Sequence, residues 1–259
     1  MRNLFVLAIM ASLEVGAVSS HAENPKVLIY TRNYVSTGKG FVHDNIAVCT
    51  EMLQQLGKDN GFATDASDNP EVFTDTNLKQ YRVIIFANSN NEAFATEDQK
   101  AAFQRFIRAG AGFVGIHSAT GSERKWPWFW AMIGGTFSFH APLQKFTVNV
   151  VDKNHPSTSD LPGDTWPWED EFYVMKEQPK GLRVLLAGNI KPLKMPDKQR
   201  QLADAMPDSI PLAWCHEFEG ARVWYTALGH KKEHYADPNL QKHILGGIRW
   251  AMNQQEKAE

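Results

Sequence analysis

The stretch Gly112-Phe113-Val114-Gly115-Ile116-His117 decides the fold. Five residues without a polar side chain run from Gly112 to Ile116 and deliver a histidine at their end. A short uninterrupted run of this kind reads as a strand buried on both faces, the form strands take in a parallel sheet covered by helices. Just upstream, Thr96-Glu97-Asp98-Gln99 is a capping box, with Thr96 spaced to accept the amide of Gln99. It opens a helix that ends near Ala109-Gly110. Further upstream, Val83–Ala87 and Lys26–Tyr30 repeat the pattern of a buried strand. Between them, residues 44–56 carry Ile46, Leu53 and Leu56 at helical spacing, and Gly57 and Gly61 punctuate the end. Residues 62–67 suit one more strand. Strand alternating with helix predicts a mostly parallel sheet with helices on both faces.

Downstream of His117 the pattern changes. Residues 146–151 alternate, and residues 172–175, 184–187, 212–218 and 222–228 are further strand candidates. The last two flank Glu219-Gly220-Ala221, which predicts a hairpin. Pro238 opens a closing helix over residues 239–253. No repeat, low-complexity tract or long linker divides the chain. The expectation is one α/β domain over residues 23–259, with an antiparallel extension of its sheet.

Composition narrows the function classes. With 43% hydrophobic and 22% charged residues the chain is ordinary globular protein. A formal net charge of -2 lacks the basic footprint of a nucleic-acid binder, and no polybasic stretch marks a membrane surface. Residues 1–22 read differently. Arg2, an apolar run from Leu4 to Val18 and Ser20-His21-Ala22 form the pattern of a secretory signal peptide cut after Ala22. The run is shorter than the roughly 20 apolar residues a membrane span needs. A periplasmic or secreted protein is expected, free of the membrane once the signal is removed. In that compartment Cys49 and Cys215 leave a single disulfide open, but their apolar settings favour two buried thiols.

Ligands of parallel α/β sheets bind at the carboxyl ends of the strands. His117 ends one central strand, His230 follows the strand at 222–228, and His43 lies in the loop after the first strand. Glu171 begins the strand candidate that contains residues 172–175 and adds a carboxylate. Imidazole titrates near neutral pH and serves proton transfer or metal ligation. His43, His117 and His230, with Glu171, are the ligand types of zinc or a similar divalent metal, although spacing this dispersed carries no metal motif. His140 either faces the cleft or packs against the aromatic residues around it. Trp126, Trp128 and Trp130 follow the His117 turn, and Trp166 and Trp168 precede Glu171. Indole faces suit sugar rings, although core packing is their commoner use. Glu169 and Asp170 read as a solvated edge beside Glu171. His155-Pro156 reads as a turn, and His216 and His243 as structural. His230-Lys231-Lys232-Glu233-His234 matches the H-x-x-E-H pattern of inverted zinc proteases. Only about one helical turn fits before Asp237-Pro238, so a loop is expected there instead.

Six segments occur in order over nearly the whole of residues 23–259: Phe41-Val42-His43-Asp44, Gly115-Ile116-His117-Ser118-Ala119-Thr120, His155-Pro156, Asp170-Glu171-Phe172-Tyr173, Thr226-Ala227-Leu228-Gly229-His230 and Leu245-Gly246-Gly247-Ile248-Arg249-Trp250. The ordered set resembles the trehalose-utilisation, or ThuA-like, family. The resemblance implies a flavodoxin-like, class I glutamine amidotransferase-like fold with a sharp strand-to-helix turn at His117. It also implies a small carbohydrate substrate, in the context of disaccharides oxidised to keto sugars. The role of Glu171 as the functional carboxylate rests on its place in the family motif, and His140, Trp126, Trp168 and Tyr173 are the candidate sugar contacts. A glutamine amidotransferase needs a cysteine thiolate at the turn. Here the residue is His117, so that activity is not expected, and Cys215-His216 cannot replace it because strand neighbours point to opposite faces. The expected activity is proton abstraction next to a sugar ketone, giving isomerisation or elimination and hydrolysis. The alternatives are a metal-dependent hydrolase and a non-catalytic periplasmic carbohydrate-binding protein. Oligomeric state is not legible in the sequence.

Overall fold

Gly112–Ile116 is the fourth of nine strands in a mixed sheet. A computed structural model describes residues 24–253; the expected signal peptide, residues 1–22, lies outside them. In chain order the elements are β1 (Lys26–Tyr30), α1 (Ile46–Asn60), β2 (Ala63–Ser67), α2 (Asp75–Leu78), β3 (Val83–Ala87), α3 (Glu97–Arg108), β4 (Gly112–Ile116), α4 (Pro127–Ile133), β5 (Thr136–Val150), β6 (Thr165–Lys176), β7 (Arg183–Asn189), α5 (Asp197–Asp204), β8 (Ser209–Phe218), β9 (Ala221–Thr226) and α6 (Pro238–Ala251). Short 3₁₀ turns occupy Pro70–Val72, His117–Gly121 and Lys232–Ala236. The sheet order is β2-β1-β3-β4-β9-β8-β7-β5-β6. The first five strands run parallel and the rest are antiparallel, so the expected antiparallel extension is present. Among the described residues no helix is long and apolar enough to cross a membrane.

β3 and β4 are buried along their whole length. Alternate residues serve opposite faces. Phe86 and Phe113 meet Phe103 of α3 and Phe129 of α4, with ring centroids 5.1–6.2 Å apart across the pairs Phe86–Phe113, Phe86–Phe129 and Phe113–Phe129. On the other face Trp224 of β9 receives α6. A Cβ on Gly247 would stand 2.4 Å from the Trp224 ring, and one on Gly246 2.1 Å from the Pro156 carbonyl oxygen. Those contacts explain Leu245-Gly246-Gly247-Ile248: only glycine lets the helix approach the sheet and the His155-Pro156 turn so closely. The capping box forms, with Thr96 Oγ1 accepting the Gln99 amide at 3.3 Å and Gln99 Oε1 accepting that of Thr96 at 3.3 Å. At the β8–β9 hairpin Glu219 (φ 46°) and Gly220 (φ 93°) are both left-handed, as a two-residue hairpin loop requires. Cys49 and Cys215 are buried free thiols.

The second half departs from expectation. β5 begins at Thr136, ten residues before the alternating stretch at 146–151. Register shifts between Phe137 and Phe139 and between Ala141 and Gln144 break its alternation, and Pro142 lies within it. β6 is likewise longer than residues 172–175 and tolerates Pro167 because it is an edge strand. Glu171 therefore sits inside a strand and does not begin one. The irregularities let the β5–β6 ribbon curl back over the carboxyl ends of β4 and β9. Although β6 is last in the sheet order, its Asp170 accepts the amides of Gly229 (2.9 Å) and His230 (3.3 Å), just beyond β9.

Candidate functional site

His117 follows β4 on a left-handed backbone (φ 49°), a conformation that costs about 1 kcal/mol or more for a residue with a side chain. Local hydrogen bonds hold it there. Tyr225 Oη donates to the His117 carbonyl (2.7 Å), and Ser118 Oγ donates to the Asn88 carbonyl (2.9 Å). The side chain is fully buried. Its Nδ1 lies 2.7 Å from the Ala227 carbonyl oxygen, which can only accept. Nδ1 therefore carries the proton, and Nε2 presents a lone pair. Burial, and after it the neighbouring His43, hold the His117 pKa well below the ordinary imidazole value.

Three further groups meet that lone pair. His43, in the loop before α1, places Nε2 3.2 Å from His117 Nε2. Burial and the neighbouring His230 lower its pKa to about 4. Glu171 reaches in from β6, with Oε2 4.0 Å from His117 Nε2 and 3.2 Å from His230 Nδ1. Its Oε1 is 3.5 Å from His140 Nδ1, at the rim. Burial pushes the Glu171 pKa up to about 7. His230 is fixed through its backbone: Asn45 Nδ2 donates to the carbonyls of Gly229 (2.8 Å) and His230 (2.7 Å), and Tyr235 Oη donates to Gly229 (2.7 Å). Burial lowers the His230 pKa as well.

The ligand atoms of His43, His117, Glu171 and His230 all lie within 4.8 Å of one another. Bonds of 2.0–2.1 Å to a tetrahedral zinc ion separate neighbouring ligand atoms by about 3.4 Å. The two 3.2 Å separations match that size, and the 4.0 Å separation of His117 from Glu171 is longer than it. Two imidazole nitrogens 3.2 Å apart need a proton or a cation between them. The Ala227 carbonyl on His117 Nδ1 is the outer hydrogen bond that metal-binding histidines make. His43 Nδ1 is buried without a hydrogen-bond partner among the described residues, and His230 Nδ1, also buried, faces Glu171 Oε2 at 3.2 Å without hydrogen-bond geometry. The donor set suits a divalent metal of the zinc class.

A cleft of about 180 Å³ opens over this cluster, walled by His43, Ser118, His140, Glu171, Tyr173 and Phe137, with Phe41 and Arg124 at its mouth. The candidates His43, His117, Glu171 and His230 come together, and His140 and Tyr173 join them. Tyr173 lies against His117, ring centroids 4.3 Å apart. Trp126 and Trp168 do not line this cleft. Trp126 stacks on Trp128 (5.1 Å) beside α4. Trp168 packs on His234 (4.5 Å) and donates to Asp170, facing a separate cavity with Phe146 and Pro167.

Asp170 is a correction. It is fully buried and is no solvated edge, because adjacent β6 residues face opposite ways while the curled ribbon covers both faces. It accepts Trp168 Nε1 and the two amides that position His230, and burial raises its pKa to about 7. The strand alternation of Asp170 with Glu171 was the signal for it. The H-x-x-E-H segment forms one 3₁₀ turn, and His234 points to Asp170 Oδ2 (3.4 Å), away from the His43–His117 pair. His216 and His243 are structural, bonded to the carbonyls of Met132 (2.8 Å) and Ser157 (2.8 Å).

Comparison with known proteins bears on the family and the fold. Residues 26–251 match the family model ThuA, described as trehalose utilisation. A ThuA-like protein from Bacteroides uniformis superposes with a TM-score of 0.68 at 24% identity, over 93% of this chain and 97% of its own. One from Parabacteroides merdae gives 0.70 at 19% identity, over 91% and 92%. A β-galactosidase from Rahnella sp. R3 gives 0.55 at 15% identity, over 89% of this chain and 32% of its own. At these identities the structural likeness is one of fold alone. No curated protein matches the chain significantly. The family match spans nearly all of the described residues, and the chain belongs to the ThuA, or trehalose-utilisation, family.

Proposed function

We propose that this protein is an exported carbohydrate enzyme that removes the proton next to a sugar ketone, with a zinc-class divalent metal held by His43, His117 and His230. The observation that carries the reading is the convergence of three neutral imidazoles and a carboxylate beneath one small cleft, which His43 and Glu171 line. Family membership supports the carbohydrate context, and the 2-1-3-4-9 order of the parallel strands supports the flavodoxin-like reading of the fold. The absence of cysteine from the turn at His117 supports chemistry other than glutamine amidotransfer.

A bound metal supplies a Lewis acid for a carbonyl oxygen. The side chains supply the proton transfer. Glu171 turns Oε2 toward the imidazoles and leaves Oε1 toward the cleft and His140. Oε1 takes the proton from the carbon beside the ketone, and the electron pair moves into the carbonyl. A pKa near 7 suits a base that must accept and release a proton at neutral pH. His140, 38% exposed at its side chain, links Glu171 to solvent. Return of the proton to the neighbouring carbon gives isomerisation, and departure of a substituent gives elimination. His117 is fully buried, so its part is to hold and orient at Nε2.

Turnover of a keto-disaccharide by wild type, Glu171→Gln and His117→Ala tests this. Glu171→Gln is expected to lower kcat by about 10²–10⁴-fold, the usual contribution of a general base, with binding retained. His117→Ala is expected to lose activity together with metal. Equal rates in all three overturn the mechanism. Binding of keto and parent sugars alike, without turnover, identifies a binding protein instead.

A further inference from the structure

We infer that the cavity beside the cleft is a subsite for an anionic group, a carboxylate or phosphate, on the part of the substrate beyond the reacting ring, with Arg124 as its principal contact. This rests on the carbohydrate reading and adds a substrate class to it. The inner cleft, at about 180 Å³, falls below the roughly 300 Å³ at which pockets for ordinary small ligands begin. A substrate larger than one sugar ring must extend out of it. Phe41 and Arg124 belong to both the cleft and a neighbouring cavity of about 640 Å³, so the exit leads between them.

Both gateposts are fixed. Phe41 is 61% exposed, yet its carbonyl accepts Asn90 Nδ2 and Asn91 Nδ2, each at 3.2 Å. Arg124 donates from Nε to the Gly121 carbonyl (3.0 Å) and from Nη2 to Asn90 Oδ1 (3.3 Å), and its guanidinium lies 5.4 Å over the Phe137 ring. A guanidinium has five N–H donors, so several remain for a ligand. Among the described residues no carboxylate stands within 4.0 Å of Arg124. The outer cavity adds Lys39, Lys125 and Lys100, the last paired with Glu97 at 2.9 Å. Its two carboxylates are already engaged. Glu123 accepts the amides of Ala93 (2.9 Å) and Phe94 (3.2 Å) and stands 3.5 Å from Lys100. Glu92 accepts Ser36 Oγ (2.6 Å). Four cations line the cavity against these two carboxylates, and Lys39, Arg124 and Lys125 have no carboxylate within 4.0 Å among the described residues, so an excess of positive charge surrounds a pre-positioned planar fork that matches the geometry of carboxylate and phosphate.

Calorimetry at low ionic strength tests the assignment with two pairs: trehalose against trehalose 6-phosphate, and lactose against lactobionate. The anionic member of at least one pair is expected to bind about tenfold or more tightly than its neutral partner. The pair that shows the gain tells phosphate from carboxylate. Arg124→Gln should abolish the gain, bringing the anionic member to the affinity of its neutral partner measured in the same variant, and Arg124→Lys should restore part of it. Equal affinity within both pairs, or a preference that survives in Arg124→Gln, overturns the subsite while the carbohydrate reading stands. Failure of all four sugars to bind overturns the subsite, and the keto-sugar reading falls only with the turnover assay above.

Discussion

Acidification is expected to destabilise this protein steeply below pH 6.5, because its buried histidines stay neutral. His43, His155 and His234 have pKa values lowered to about 4 and His243 to about 3, chiefly by burial, and His117 lies well below the ordinary value. An unfolded histidine titrates near 6.5. Between these values the unfolded chain binds the proton and the folded chain does not. The stability they contribute is therefore complete above pH 6.5 and is lost as pH falls toward 4. Asp170 and Glu171 act in the opposite sense. Raised to about 7, they take up protons in the folded state first, and so add stability as pH falls from 7 toward 4. One proton per pH unit is about 1.4 kcal/mol. From pH 6.5 to 5.0 each of the four histidines at about 3 to 4 costs about 2 kcal/mol and each carboxyl restores about 2. Four histidines against two carboxyls leave a net loss of about 4 kcal/mol, to which His117 adds in the same direction, a large share of the roughly 5–15 kcal/mol that holds a domain folded. Urea unfolding of chelator-treated protein at pH 7.0, 6.0 and 5.0 measures it. His243→Gln, away from the cluster, should lower the slope by about 1.4 kcal/mol per pH unit. Equal stability at pH 7.0 and 5.0 refutes the reasoning.

Asp170→Asn should leave the fold in place but loosen the His230 loop, and zinc affinity should fall about 10–100-fold, the usual cost of losing an outer partner; an unchanged affinity in a zinc titration would contradict the positioning role. Gly247→Ala forces a Cβ to 2.4 Å from Trp224 and should cost about 1–3 kcal/mol or more in urea unfolding. A neutral result would mean that α6 is not seated so closely.

The first half of the fold was legible because its signals are local. Val27–Tyr30, Val83–Ala87 and Gly112–Ile116 are uninterrupted apolar runs, and the strands Lys26–Tyr30, Val83–Ala87 and Gly112–Ile116 have the expected bounds. The capping box at Thr96 and the turn at Glu219-Gly220 are likewise set by neighbouring residues. β5 was half-hidden, since two register shifts and Pro142 spoil its period of two. α4 was missed because Trp128, Phe129 and Trp130 are weak helix formers that packing holds in place. In the site, His117 was readable from its place at a strand end. Its meeting with Glu171 was implied mainly by the family motifs, because it depends on the curl of the β5–β6 ribbon. Arg124 carried no signal at all: its importance comes from the carboxylate it lacks and from the two cavities it divides.

The most direct test of the central claim is metal analysis of protein purified without a histidine tag, followed by zinc titration of the chelator-treated chain. One zinc-class ion per chain is expected, with binding lost in His117→Ala and in His43→Ala. Failure of the folded wild-type chain to take up zinc or any comparable divalent ion would contradict the account.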